Sequence, residues 1–331
     1  MIEREWIYPG AGLTAAGAAT ALALMPDARQ LLPALAILPA WMAAVTIIAS
    51  AFALARLSIR GEEHPIAAFR DFVTYDWHRI GALMLAMGLA GLNLITFMWL
   101  KPLLNAYVPF RADSLLASMD KVMFLGNDPW TLLTWANIAG AGLFYHPAWF
   151  IAIIIALLTV KSAVPSPEKS ALILTYFMLW TVVAPMVHCL LPAAGPLFYE
   201  RLGYGHRFSG LVPGPETRAV FDWLWQCYSQ GPQYEGNGIS AMPSMHVAMS
   251  SWVLLVAWVQ ARRWFLPTLA FHVTICTLSI ALGWHYAMDG LIGGIATALV
   301  YTACHDIYRL RAALAVRGKP ASASFRDPSR Q

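Results

Sequence analysis

Residues 240–289 read SAMPSMHVAMSSWVLLVAWVQARRWFLPTLAFHVTICTLSIALGWHYAMD, and this stretch decides the fold. Two apolar runs, 244–260 and 265–283, flank the basic turn Ala261-Arg-Arg-Trp264, and a polar cluster stands at the outer mouth of the pair. A membrane crossing needs roughly 17–25 mainly apolar residues, so each run reads as one span and the pair as a helical hairpin. His246 and His285 are 285 − 246 = 39 residues apart, about two spans of roughly 20 residues each. The hairpin goes in, turns and returns, which brings both histidines to one membrane face. Ionisable groups inside spans are expensive, and two at one depth mark a functional site.

The rest of the chain agrees with a bilayer. Of its 331 residues 59% are hydrophobic and 12% charged, against about 45–50% and about 25% in a soluble domain. A soluble fold of this size needs far more charge to cover its surface, so the deficit points to a second, apolar solvent. Further runs at about 10–26, 31–57, 80–100, 142–160, 171–194 and 286–304 bring the expected spans to about eight. The fold class is therefore all-α and polytopic. The first run reads as a span and not a signal peptide, because Met1-Ile-Glu-Arg-Glu-Trp6 is not net positive.

Charge sets the expected orientation. With both termini on one side, that side holds 15 of the 22 Lys and Arg and the other holds 7. The positive-inside rule then puts the termini in the cytoplasm and turns loops 101–141 and 195–243, with both histidines, outward. Within the second loop, 216–229 is bounded by Pro215 and Gly231-Pro232 and reads as a short interfacial helix rich in aromatics. The tail 309–331 reads as cytoplasmic and basic, and as disordered after about 316.

Other partners are not indicated. The net charge of +4 and pI near 8.9 come without a basic patch interleaved with aromatics, which argues against nucleic acid. Cys189, Cys227, Cys276 and Cys304 are scattered without zinc-site spacing and the nine histidines are dispersed, so neither a metal nor another cofactor is expected.

The chemistry lies in the two polar clusters. His285 and Asp289 stand at i and i+4 on one helix face. A carboxylate there can fix the imidazole tautomer and leave the other ring nitrogen free as a nucleophile. The plainer alternative is a satisfied His–Asp pair gluing two helices. In Pro243-Ser-Met-His246, Pro243 suits a first helical turn. The unpaired N–H groups that open this helix, at Met245 among them, and the Ser244 hydroxyl are candidate phosphate donors. His246, one turn in, is placed to protonate a leaving oxygen. Gly290-x-x-x-Gly294 reads as a close-packing face and not a site.

Ser240-Ala-Met-Pro-Ser-Met-His246 together with Trp284-His-Tyr-Ala-Met-Asp289-Gly-Leu-Ile-Gly-Gly294 resembles the second and third signature motifs of the type-2 phosphatidic acid phosphatase superfamily. The closer likeness is to the inositol phosphorylceramide synthase and sphingomyelin synthase branch, where His-Tyr-x-x-Asp replaces the longer phosphatase motif. Asp120-Lys-Val-Met-Phe-Leu-Gly-Asn-Asp-Pro-Trp130 and Leu191-Pro-Ala-Ala-Gly-Pro196 are similar to segments of bacterial members, and the likeness spans roughly 80–304. It implies a six-helix catalytic core within 80–308, after two N-terminal spans and an interfacial segment in 1–79. It also implies a bacterial inner-membrane location and an extracytoplasmic site. The implied roles are His285 as a nucleophile forming a phosphohistidine, Asp289 orienting it, and His246 as general acid and then base, without a metal.

Two features of the phosphatase pattern are absent. Lys-x6-Arg-Pro is missing near the outer end of the fifth span, and Leu278 and Ser279 stand where a Ser-Arg pair belongs. Arg201, His206 and Arg207 are the nearest substitutes as phosphate-binding cations. The sequence therefore reads as a lipid phosphotransferase that moves a phosphoryl head group from a phospholipid to an alcohol. The alternatives are a lipid phosphate or isoprenyl pyrophosphate phosphatase, and a non-catalytic lipid-binding or transport protein. Transporters place their sites near the midplane, whereas both histidines here sit at the outer ends of spans.

Overall fold

A computed structural model of the chain describes residues 3–25, 27, 29, 32–230 and 238–317, and all of its regular elements are helical. Helix α1 (Arg4–Leu24) crosses once and the short α2 (Leu32–Leu35) leads into α3 (Ile37–Ile59), which returns. Helix α4 (Pro65–Tyr75) buries none of its residues, and α5 (Trp77–Tyr107) is a long crossing helix. After α6 (Asp113–Met123) and α7 (Pro129–Leu132), α8 (Ala141–Ser162) crosses back. Helix α9 (Pro167–Met178), a π-helical turn at Leu179–Val183 and α10 (Ala184–Leu190) form the next crossing. Helix α11 (Pro215–Ser229) covers the segment read from the sequence as a short helix. The hairpin follows as α12 (Met245–Gln260) and α13 (Phe265–Ala281), and α14 (Ala287–Arg317) completes the bundle.

Seven helices among the described residues are long and apolar enough to cross a membrane, and α12 is a shorter apolar helix. The chain is thus an all-α polytopic membrane protein. The 16 residues of α12 rise about 24 Å at about 1.5 Å each, short of a hydrocarbon core of roughly 30 Å. Non-helical backbone, 238–244, stands where another helical turn would otherwise continue it, and all of that segment except Ser240 is buried. Irregular backbone at this depth is tolerated only inside protein.

Helix α12 is central, packing on α8, α9, α13 and α14. Trp252 Nε1 donates to the Leu172 carbonyl on α9 at 2.8 Å, and Thr297 Oγ1 donates to the Ala248 carbonyl at 3.1 Å. The small-residue face of α14 permits its approach: a Cβ on Gly293 would lie 2.9 Å from the Ser244 oxygen. Asn93 on α5 donates to Thr14 on α1 (3.2 Å) and to Thr181 in the π turn (2.6 Å). At the end away from the histidines, Lys169 is buried and its Nζ donates to Glu3 (2.7 Å) and to the carbonyls of Lys161 and Ala163.

Three expectations change. Residues 309–317, read as the start of a tail, are the last turns of α14, while 318–331 lie outside the described residues. Lys101, assigned to an outer loop, belongs to α5, which runs on through Pro102 to Tyr107. Pro243 is not in a first helical turn: α12 starts at Met245 and Ser244 is its N-cap, accepting the Val247 N–H at 3.3 Å. Ser with its short hydroxyl is a preferred cap, and Pro243 precedes it in a bend, joined to Met242 by a cis peptide bond.

Candidate active site

The hairpin delivers both histidines to one end of the bundle, with ring centroids 5.9 Å apart. His246 is the second residue of α12, and α8 supplies its surroundings. Trp149 Nε1 donates to the His246 carbonyl at 3.0 Å, and the imidazole stacks on Tyr145 (4.3 Å, 20°) and lies against Trp149 (4.3 Å). His146 Nδ1 stands 3.0 Å from His246 Nε2. One proton lies between these two nitrogens, so each ring's tautomer depends on the other.

His285 occupies the turn between α13 and α14. Its N–H donates to the Ser279 carbonyl (3.2 Å), and its Nδ1 is 2.8 Å from the Ala241 carbonyl. A carbonyl only accepts, so Nδ1 carries the proton and Nε2 keeps its lone pair. Burial pushes this imidazole down to about 3; its bond to Ala241 opposes the fall and the Lys101 ammonium adds to it. The ring is therefore neutral at ordinary pH, as a nucleophile requires.

Asp289 is fully buried but holds His285 less directly than the i, i+4 spacing implies. Its Oδ2 lies 3.6 Å from His285 Nδ1 and accepts the Tyr286 N–H at 2.8 Å. Its Oδ1 is buried without a hydrogen-bond partner. The backbone closes the circuit, since the Ser244 N–H donates to the Asp289 carbonyl at 3.1 Å and so ties the two motifs together.

The resting orientation of His285 thus depends on Ala241, whose N–H donates to the Ala193 carbonyl at 2.8 Å. The segment 191–196 is in turn held by Asp113, whose carboxylate accepts the N–H groups of Ala194 (3.1 Å) and Gly195 (2.9 Å) and the Tyr286 hydroxyl (3.0 Å). Gly195 has φ of +103°, and a Cβ there would collide with the Trp284 oxygen, so only glycine fits. Asp120 accepts the N–H groups of Ala287 (2.7 Å) and Met288 (2.9 Å) and caps α14. Burial raises the Asp120 carboxyl to about 6, against those two N–H donors and with Asp289 adding to the rise. Asp113 is likewise raised by burial.

Sequence reasoning missed Asp113, His146 and the Ala241 carbonyl, and gave Asp120 no role. Each of the proposed substitute cations has an acidic partner. Arg201 pairs with Asp222 at 2.6 Å and lies over Phe221, His206 pairs with Glu200 at 2.7 Å, and Arg207 pairs with Asp128 and donates to the Ala117 carbonyl. Among the described residues no three His, Cys, Asp or Glu come together in a way that could hold a metal ion.

A neutral imidazole with a free Nε2, a second imidazole beside it, and an aromatic box around the second can carry out nucleophilic displacement with proton transfer. A family model described as PAP2 superfamily matches residues 115–304, more than half of the chain. No curated protein and no solved structure matches the chain.

Proposed function

Because the chain belongs to the PAP2 superfamily, whose membership supports phosphatase- or phosphotransferase-type activity, we propose that it transfers a phosphoryl head group from a phosphodiester lipid to an alcohol. His285 Nε2 attacks phosphorus, the bond from phosphorus to the lipid alkoxide breaks, and His246 gives that alkoxide its proton. The acceptor hydroxyl then attacks the phosphohistidine and returns its proton to His246 as the P–N bond breaks. The enzyme ends as it began, and one phosphodiester has replaced another.

The observation that carries the nucleophilic half is the 2.8 Å contact of His285 Nδ1 with the Ala241 carbonyl, which leaves Nε2 unprotonated. The preference for a diester over a monoester follows from charge. A phosphomonoester carries about −1.5 to −2 charges near neutral pH, a diester one. Holding a dianion takes several cations, and Arg201 and Arg207 are already paired with Asp222 and Asp128. By the charge count the site faces away from the cytoplasm, and its occupants are membrane lipids.

The test is purified enzyme in detergent, offered labelled phosphatidic acid, a labelled phosphatidylinositol-type diester and a ceramide or diacylglycerol acceptor. Head-group transfer from the diester is the expected result. Efficient release of inorganic phosphate from the monoester, with no transfer from any diester, would leave the phosphatase reading in its place.

A further inference from the structure

Lys101 stands near the end of α5, one turn before Asn105. That last turn is the bed for the segment that orients His285. A Cβ on Gly238 would lie 2.5 Å from the Lys101 carbonyl carbon, and Asn105 bonds both the N–H and the carbonyl of Ile239 at 2.7 Å. The next residue, Ser240, meets His188 Nδ1 at 3.0 Å, and Ala241 then presents its carbonyl to His285. Lys101 is half-buried at this place, and its charge acts on His146, His188, His246 and His285 together.

Among the described residues, nothing neutralises it: Lys101 has no carboxylate partner and no hydrogen-bond acceptor. His188 Nε2, in the same cradle, is also buried without a partner. A half-buried ammonium with no counter-ion among the described residues carries part of the cost of desolvation, and a polar atom left without a bond adds to that cost. An anion bound between them relieves both.

We propose that Lys101 is the cation that grips the phosphoryl group of the substrate, a phosphodiester monoanion, beside His285 and His246. The proposal rests on the reading that His285 attacks phosphorus. It also supplies the charge match for that reading, since one ammonium neutralises one negative charge and leaves a dianion half-compensated. His188 Nε2 contributes a neutral contact to a phosphoryl oxygen.

The experiment compares full-length Lys101→Gln, Lys101→Met and Lys101→Arg with the wild type in two assays. One is steady-state turnover of the diester lipid, and the other is calorimetric binding of dimethyl phosphate and of inorganic phosphate. A charge-assisted bond to an ionised group corresponds to about a ten- to hundredfold effect. The Gln and Met variants should therefore raise KM for the diester and Kd for dimethyl phosphate by about that factor, and Arg should recover most of the loss. Unchanged affinities in Gln and Met, or an Arg variant as weak as Gln, would overturn the proposal. So would failure of both neutral variants to fold, because among the described residues no partner is lost when the charge is removed. If the wild type binds dimethyl phosphate through Lys101 yet transfers no head group, the transferase reading fails while the Lys101 site stands. Transfer that continues with unchanged KM in Lys101→Gln does the reverse, removing the Lys101 site and keeping the transferase.

Discussion

His146 was invisible as a partner until the fold placed it 3.0 Å from His246, and a double-mutant cycle on this pair tests the proton chemistry directly. His246→Ala removes the general acid and should lower turnover of a natural diester by about 10²–10⁴. His146→Ala leaves the His246 ring between Tyr145 and Trp149 but strips the bond from its Nε2. Leaving a buried polar group unpaired costs about 1–3 kcal/mol, or about 5- to 150-fold in rate. If His146 acts only through His246, the double variant should be no slower than His246→Ala alone. Independent action would multiply the losses to about 10³–10⁶. The assay is single-turnover release of the lipid alcohol, repeated with a nitrophenyl phosphodiester whose leaving group needs no proton. With that substrate both single variants should recover most of the wild-type rate. Multiplicative losses, or a His246→Ala variant equally inactive on the nitrophenyl ester, would refute the assignment.

Further outcomes follow from the same geometry. His285→Ala should abolish turnover, whereas Asp289→Asn should keep a small residual rate because Ala241 still orients the ring; radiolabel trapped on the protein after acid-free quenching reports the intermediate in each. Orthovanadate, which adopts the five-coordinate geometry of phosphoryl transfer, should inhibit, and EDTA should not; loss of activity in EDTA restored by a divalent ion would contradict a metal-free mechanism. Asp120, raised from 3.8 to about 6, stabilises the fold most below about 4 and loses that contribution as pH rises through about 6. The wild type minus Asp120→Asn difference in melting temperature should therefore decline over that window, and a flat or rising difference would be inconsistent with it. In a Cys189→Ser background, a cysteine at Ser118 should react with an impermeant thiol reagent in intact cells and one at Glu62 should not; the reverse pattern inverts the orientation.

What was legible in the sequence was whatever a short local pattern encodes. Apolar run lengths announced the crossing helices, Pro215 and the aromatic run announced α11, and 39-residue spacing put His246 and His285 at one end of a hairpin. The scaffold behind them was not legible, because it consists of long-range bonds to backbone. Asp113 reaches Tyr286 across 173 positions and Asp120 reaches Ala287 across 167. Ala241 acts through its carbonyl, which no side chain advertises. His146 and Lys101 did carry a signal, as ionisable groups in or beside apolar runs. Lys101 falls just past the run ending at 100, which places it among the loop cations when the runs alone are read.

The 3.6 Å separation of Asp289 from His285 Nδ1 explains how a carboxyl group can be central to a motif and yet not be the ring's resting partner. Before reaction the ring is neutral and the Ala241 carbonyl satisfies its Nδ1–H, so a full ion pair would have nothing to neutralise. Once Nε2 bonds to phosphorus in the proposed intermediate, Nδ1–H stays in place and the ring becomes cationic. At 3.6 Å Asp289 is placed to face that new positive charge, which favours the carboxylate form of this buried group. The partnerless Oδ1 gives the carboxyl group freedom to reorient toward Nδ1–H, because no hydrogen bond on that oxygen has to break. Asp289 therefore stabilises the covalent state more than the free enzyme. The part of that stabilisation already felt in the transition state, as charge builds on the ring, accelerates formation of the phosphohistidine, whereas equal stabilisation of the free enzyme would not.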